Sequence, residues 1–336
     1  MSCARSLLFV PSLFKDEVRG SDPIRATTVA VVERTQQRRG RVAPDRVLGE
    51  QVPRDRGRPR LGIDPRPHSA RLSLPYVRVL VFPPSREWPE LRAAAIEAER
   101  IGFDGILVPD HLTFGRQWLE ALTTMAALAE ATKTVELCFG VISATFRPPA
   151  VLARAIDTLD RISSGRLHAG LGAGVDEAEH RVAGLPFGSP GERLQALERS
   201  ILAIRDLCEH RVPIVIGASG DRALALVARY ADEWNCGTGM YLDRAADRAK
   251  HLSTLSRDRD TPLRRSVNLP ILMAPPQDSA RARQYNLDIA LLGDVDTMVS
   301  RVREIRDLGF DTVWLGGHSA EAFERAAELL PHLKEL

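Results

Sequence analysis

The sequence predicts a (β/α)8 TIM barrel over residues 76–336, preceded by a leader that builds no packed domain. Three observations lead there. From Tyr76 onward, short apolar runs alternate with one-faced helical stretches, the texture of parallel strands covered by helices. This part holds 261 residues, close to the roughly 250 of such a barrel. A weak internal repeat is also present: Ile101-Gly102-Phe103-Asp104-Gly105-Ile106-Leu107-Val108 returns as Leu308-Gly309-Phe310-Asp311-Thr312-Val313-Trp314-Leu315. In each copy the Gly suits a left-handed helix end, the aromatic folds back under the helix, and the Asp makes the turn into a strand. If the copies lead into the second and eighth strands, their offset of 207 positions gives 34.5 residues per unit, near the 30 or more of a βα repeat. An open doubly wound sheet shares the texture, and the spacing favours the barrel.

Eight runs are expected as strands: 77–82, 105–108, 135–142, 167–172, 213–217, 232–236, 267–273 and 312–316. Helices between them are marked by apolar spacing. Leu91, Ala95, Ala98 and Ile101 follow the first strand, and Leu152, Ile156, Leu159 and Ile162 follow the third. Leu194, Leu197, Ile201, Ile204 and Cys208 precede the fifth, and Met298, Val302 and Ile305 precede the last.

The leader has a different character. Residues 1–75 carry 14 Arg and one Lys against eight acids, an excess of +7 in a chain whose net charge is +2. Runs such as Pro53-Arg54-Asp55-Arg56-Gly57-Arg58 cannot bury enough apolar surface to offset their ordering entropy. A disordered leader or a mis-assigned N-terminal extension is expected, with a nucleic-acid-binding arm as the alternative. The body carries the opposite charge, which argues against nucleic acid there. No run is long and apolar enough for a membrane span or a secretory signal, so a cytoplasmic protein without membrane partners is expected. Cys3, Cys138, Cys208 and Cys236 form no Cys-x-x-Cys pair and the His residues no His-x-x-x-His pair, so no metal site is expected.

In a barrel of this kind the chemistry sits where the strands end. The second strand ends in Pro109-Asp110-His111-Leu112, where Asp110 and His111 could relay a proton or orient a substrate, or else cap the following turn. The third runs into Gly140-Val141-Ile142-Ser143 and then Arg147-Pro148-Pro149, small residues that let a flat ring approach the backbone, or simple turn chemistry. The fourth ends in Gly170-Leu171-Gly172-Ala173-Gly174, which fails the Gly-x-Gly-x-x-Gly dinucleotide spacing. The fifth ends in Gly217-Ala218-Ser219-Gly220-Asp221-Arg222 at a helix start, an arrangement of free N–H groups that suits an anion. An ordinary Gly-rich turn reads the same way. Ser219 and Arg222 could add a donor and a charge, and Gly237-Thr238-Gly239 after the sixth strand could complete a phosphate cradle.

Taken in order, these segments resemble the bacterial luciferase-like superfamily of flavin- and deazaflavin-dependent oxidoreductases. The resemblance runs from about Val77 to the C-terminus. It is carried by Ala98-Glu99-Arg100-Ile101-Gly102-Phe103-Asp104, Pro109-Asp110-His111-Leu112, Arg147-Pro148-Pro149-Ala150, Ser163-Ser164-Gly165-Arg166-Leu167, Gly170 to Gly174, Ile216 to Gly220 and Arg229-Tyr230-Ala231-Asp232. It implies a barrel holding coenzyme F420, or FMN, at its C-terminal rim, with a bulge or cis peptide behind the ring at Gly140 to Ser143. It also implies cofactor contacts at Gly140, Val141, Ile142, Ser143, Gly172 and Gly174, and phosphate contacts at Gly217, Ala218, Ser219, Gly220, Arg222, Thr238 and Gly239. His111 and Asp110 would then face the reactive edge, with His111 as proton donor or polar stabiliser. Gly184-Leu185-Pro186-Phe187 and Pro190-Gly191-Glu192-Arg193 favour the F420-dependent members. The expected function is hydride transfer between F420 and a small organic substrate. An FMN-dependent monooxygenase or a non-catalytic flavin-binding relative is the alternative, and a homodimer is the implied assembly.

Three departures qualify the resemblance. The glucose-6-phosphate dehydrogenases of the superfamily place a catalytic Glu where this chain has Val175. A basic phosphate contact of some members falls at Met240. Residues 206–213 are short, which leads to the expectation of a substrate pocket left open or completed by a partner subunit.

Overall fold

Residues 76–84, 87–113, 118–237, 242–273, 290–316 and 319–336 are described by the computed structural model; the leader and Thr238 to Met240 lie outside them. The elements run β1 (Arg78–Val81), α1 (Trp88–Ile101), β2 (Gly105–Val108), α2 (Ala121–Ala131), β3 (Glu136–Phe139), β4 (Ile142–Ser143), α3 (Pro149–Ile162), β5 (Leu167–Gly172) and α4 (Glu177–Val182). They continue with α5 (Pro190–Leu207), β6 (Ile214–Gly217), α6 (Asp221–Tyr230), β7 (Glu233–Cys236), α7 (Leu242–Leu255), β8 (Arg264–Pro270), α8 (Val295–Asp307), β9 (Thr312–Gly316) and α9 (Ala320–Lys334). All strand pairs are parallel, and the sheet closes as a TIM barrel, with β1 between β2 and β9 and both β3 and β4 paired to β5.

β3 and β4 are two pieces of one barrel strand, so the single run expected over 135–142 is corrected to a broken one. Cys138 pairs with His168 and Ile142 with Leu171, so the third strand uses one residue more than its partner over the same distance. The surplus falls at Gly140–Val141, whose peptide bond is cis, and it makes the local bulge. A second correction concerns β8, which begins at Arg264 and ends at Pro270 instead of spanning 267–273. Arg264, Arg265 and Ser266 read as loop because they are polar, but they pair in register with Glu233, Trp234 and Asn235 at a polar end of the barrel. Ile271 retains only an isolated bridge to Leu291.

The internal repeat has a structural basis. Gly102 and Gly309 adopt φ of 100° and 90°, ending α1 and α8 in the left-handed region that glycine favours. Phe103 and Phe310 are buried behind them. The Asp that follows ties its strand to the previous one: Asp104 accepts the Val79 N–H at 2.7 Å and Asp311 the Arg265 N–H at 3.3 Å. Asp232, before β7, accepts the Ile214 N–H at 2.8 Å in the same manner.

Two apolar compartments result. One lies between strands and helices; the other, inside the barrel, consists of Leu80, Leu107, Cys138, Val215 and Trp314, with Phe82 and Val141 packed on it. Below this inner layer, at the N-terminal ends of the strands, the interior is charged. Buried Arg78 donates to Glu136 at 2.6 and 2.9 Å, to Glu233 at 2.7 Å and to Thr312 at 3.3 Å. Burial pushes the Glu136 carboxyl up, but the charge and hydrogen bonds of Arg78, together with the nearby His168 and Arg264, outweigh it and leave the carboxyl at about 2.

Replacing Arg78 with Met strands two carboxylates without their counter-charge, so a loss of about 3–5 kcal/mol is expected in denaturant unfolding. The ordinary Glu pKa is about 4.3, and the folded value is lower, so the pairing stabilises above that range and is lost as pH falls toward 2. The gap between parent and variant is therefore expected to narrow through that acid window.

Candidate cofactor site at the barrel mouth

At the C-terminal ends of the strands the barrel presents backbone where other barrels present side chains. A Cβ on Gly140 would lie 3.0 Å from Phe82 Cζ and 3.2 Å from Trp314 Cζ3; on Gly172, 2.8 Å from Val141 Cγ2; and on Gly217, 3.3 Å from the same methyl. One on Gly316 would meet Phe82 Cδ2 at 3.2 Å. Phe82 and Val141 thus close the interior, and glycines surround them. The arrangement suits a flat ring laid on Val141. Phe82 and Gly316 were not among the residues singled out from sequence.

Asp110 and His111 leave β2 in different directions and form no dyad. The Asp110 carboxylate, with 2% of its side chain exposed, accepts from Arg147 at 2.7 and 2.9 Å and from the Ser143 N–H at 3.0 Å. It fastens the end of β2 to the end of β4. His111 remains 31% exposed, with its ring 5.7 Å from that of Trp118 and its Nδ1 3.0 Å from Glu179 Oε2. Glu179 comes from α4, 68 residues along the chain, and also accepts the Leu112 and Thr113 N–H groups at 2.6 and 2.9 Å. Burial raises its carboxyl, but the bonds from His111, Thr113 and Leu112 hold it below the usual range.

The next residue of α4, His180, grips the other wall. Its Nδ1 donates to the Asp176 carbonyl at 2.6 Å, and Nε2 lies 2.7 Å from the Thr145 hydroxyl, which lies 2.8 Å from that of Ser143. Phe146 and Phe187 flank the ring, with centroids 4.8 and 4.9 Å away. Gly174 has φ of 73°, and a Cβ there would fall 2.5 Å from Thr145 Oγ1 and 2.7 Å from Ser143 Oγ. The helix starts at the Asp176 cap, which accepts the Glu179 N–H, and ends at Ala183, just before Gly184 with φ of 68°. Neither Glu179 nor His180 was singled out from sequence. The available signal was Asp176-x-x-Glu179, which reads as an ordinary helix cap.

The turn after β6 lies on the same face. Ala218 uses its N–H on the Asn235 carbonyl and its carbonyl on the Trp234 indole at 2.8 Å. Ser219 and Gly220 are exposed, and Gly220 caps α6 with no side-chain hydrogen bond. The first turn of α6 thus has no side-chain cap, an arrangement that suits an anion, and Asp221 pairs with Arg248. Arg222 places Nη1 3.7 Å from where a Gly191 Cβ would be, beside the start of α5. Ile142 packs outward into the helix-facing core, so β4 turns Val141 and Ser143 inward and Ile142 away.

The short connection over 206–213 calls for a correction. It joins α5 to β6 at the N-terminal ends of the strands, opposite the mouth, and so borders no pocket there. A groove of about 670 Å3 opens at that far end, lined by Arg205, Arg211, Arg229, Arg259 and Asp232 among others. Arg205 and Arg259 are occupied there with the carbonyls of Val212, Tyr230, Ala228 and Ala231.

Comparison with known proteins agrees with this fold. An F420-dependent glucose-6-phosphate dehydrogenase of Amycolatopsis mediterranei (strain U-32) is 31% identical over 184 residues, 46% of this chain and 55% of that protein, so the chain spans about half of that relative. One of the same description from Microbacterium testaceum (strain StLB037) is 28% identical over 319 residues, 73% of this chain and 94% of that one. An F420-dependent secondary alcohol dehydrogenase solved with an F420-acetone adduct shares the fold, with a TM-score of 0.66 at 17% identity over 77% of this chain and 99% of that chain. Residues 76–295 match the model of the family described as luciferase-like monooxygenase, and with well over half its length matched the chain belongs to that family.

Proposed function

We propose that this protein is an oxidoreductase that moves a hydride between the deazaflavin coenzyme F420 and a small organic substrate. The observation that carries the reading is the glycine rim at the mouth, where a Cβ on Gly172 or Gly217 would press on Val141 and one on Gly140 on Phe82, so that backbone and Val141 face the opening. Both relatives reported above are named for F420 dependence, which favours it over FMN. The coenzyme would supply the hydride-carrying carbon, and the protein supplies position and a proton. Val141 and the glycines support one face of a planar ring. Ser219, Gly220 and the first turn of α6 bind a phosphate. His111, at the end of β2, exchanges a proton with the substrate oxygen or nitrogen. Val175 is 86% exposed and carries no acid, so chemistry that needs a carboxyl at this position, as in the glucose-6-phosphate dehydrogenases, is not the activity proposed. The family's description as luciferase-like monooxygenase supports a monooxygenase, which would use FMN, as the second reading.

Fluorescence titration of the full-length protein with F420 and, separately, FMN tests the cofactor. F420 is expected to bind at least about tenfold tighter than FMN, and Gly172→Ala to weaken it by about tenfold, or 1.4 kcal/mol. Tight FMN binding with oxygen consumption would move the protein to the monooxygenase side, and binding of neither would refute a flavin site. In a screen of alcohols, carbonyls, enones and imines, His111→Gln is expected to keep F420 binding within about twofold and to lose about 100- to 10,000-fold in turnover.

A further inference from the structure

The two oxygens of Glu179 have separate tasks. Oε1 takes both backbone N–H groups, from Leu112 and Thr113, while Oε2 faces His111 Nδ1 at 3.0 Å. Only 3% of the Glu179 side chain is exposed, and its bonds hold it ionised. An ionised carboxylate offers lone pairs and no proton. The nitrogen opposite Oε2 must therefore carry the hydrogen, and in a neutral ring the lone pair falls on Nε2.

We propose that Glu179 is a positioning residue that locks His111 in the Nδ1–H tautomer, so that proton exchange with the substrate runs through Nε2. The proposal rests on the reading of His111 as the proton-exchanging group. It adds the group that decides which nitrogen does the exchanging. Trp118 lies beside the imidazole, its ring centroid 5.7 Å away and tilted 42°. Glu179 is itself fixed, since its own N–H donates to the Asp176 carboxylate at 3.1 Å and α4 is anchored through His180 to Thr145, which lies just after β4 and whose hydroxyl meets that of Ser143. Asp110, the carboxylate adjacent in sequence, is committed to Arg147 and Ser143 and does not compete for the ring.

The division between the oxygens lets one substitution separate a structural role from a positioning one. In Glu179→Gln the amide oxygen takes the Oε1 place, where two N–H groups require an acceptor. The NH2 then faces Nδ1, and because it can only donate, Nδ1 must become the acceptor. The turn at Leu112 and Thr113 keeps its bonds while the imidazole changes to the Nε2–H tautomer. A carboxylate-to-amide change beside a catalytic His acts in this way in serine proteases.

The test is nitrogen-15 spectroscopy of the full-length protein labelled at histidine, at about pH 8, where an ordinary imidazole is neutral. The His111 signals are identified by their loss in His111→Gln. The parent is expected to show a protonated Nδ1 and a bare Nε2, and Glu179→Gln the reverse, with a melting temperature within about 3 °C of the parent. An Nε2–H tautomer in the parent, or Nδ1–H in both proteins, overturns the proposal. The parent spectrum decides the matter even if the variant fails to fold. With F420 and the best alcohol or carbonyl from the screen, Glu179→Gln is expected to lower kcat by 100-fold or more with KM within about threefold. Loss of turnover without a change of tautomer would also overturn it. The spectra require no cofactor, so a failure of the F420 reading is separately visible in the titrations.

Discussion

The packing of Phe82 and Val141 on the inner layer of Leu80, Leu107, Cys138, Val215 and Trp314 closes the barrel interior below its mouth. The strand ends around them are glycines: a Cβ would press on Val141 at Gly172 and Gly217, most closely at Gly172, and on Phe82 at Gly140 and Gly316. Val141 reaches that place because the third strand carries one residue more than β5 between Cys138 and Ile142. Without the surplus, simple alternation would turn the residue after Gly140 toward the helices. The bulge therefore supplies both the floor of the mouth and the inward turn of Ser143, while the register below it is undisturbed.

Polar contacts differ between the two ends of the barrel. At the lower end, Arg78 joins β1 to β3 and β7 through Glu136 and Glu233, and aspartates at three strand starts tie adjacent strands together. At the mouth, polar residues connect loops. Asp110 links the end of β2 to β4 and Arg147, Glu179 links the same end to α4, and His180 links α4 back to Thr145. The two-turn helix after β5 thus sets the position of both walls, although only six residues long. Such a division is general among barrels of this type, where the C-terminal face carries the function.

Much of this was legible in the sequence wherever a local signal decides the structure. The runs at 105–108, 167–172 and 312–316 match β2, β5 and β9 residue for residue, and the Gly-Phe-Asp repeat marks two strand starts because each residue has a local task there. The errors lie where a non-local partner decides. Arg264 and Ser266 look like loop until the polar interior beside Glu233 is known. The break at Gly140 cannot be seen without the register of β5. His111 stood out by its place at a strand end, but its partner is 68 positions away, and the neighbouring Asp110 was the natural but different choice. The loop at 206–213 was placed near the pocket by resemblance alone, and chain direction puts it at the other end.

A crystal structure of the full-length protein with F420 bound tests the central claim most directly. The ring is expected to lie against Val141 among Gly140, Gly172 and Gly217, with the phosphate at Ser219, Gly220 and the start of α6 and His111 beside the ring edge. F420 seated elsewhere, for example in the arginine-lined groove at the opposite end, or a ring that makes no contact with Val141, would contradict it.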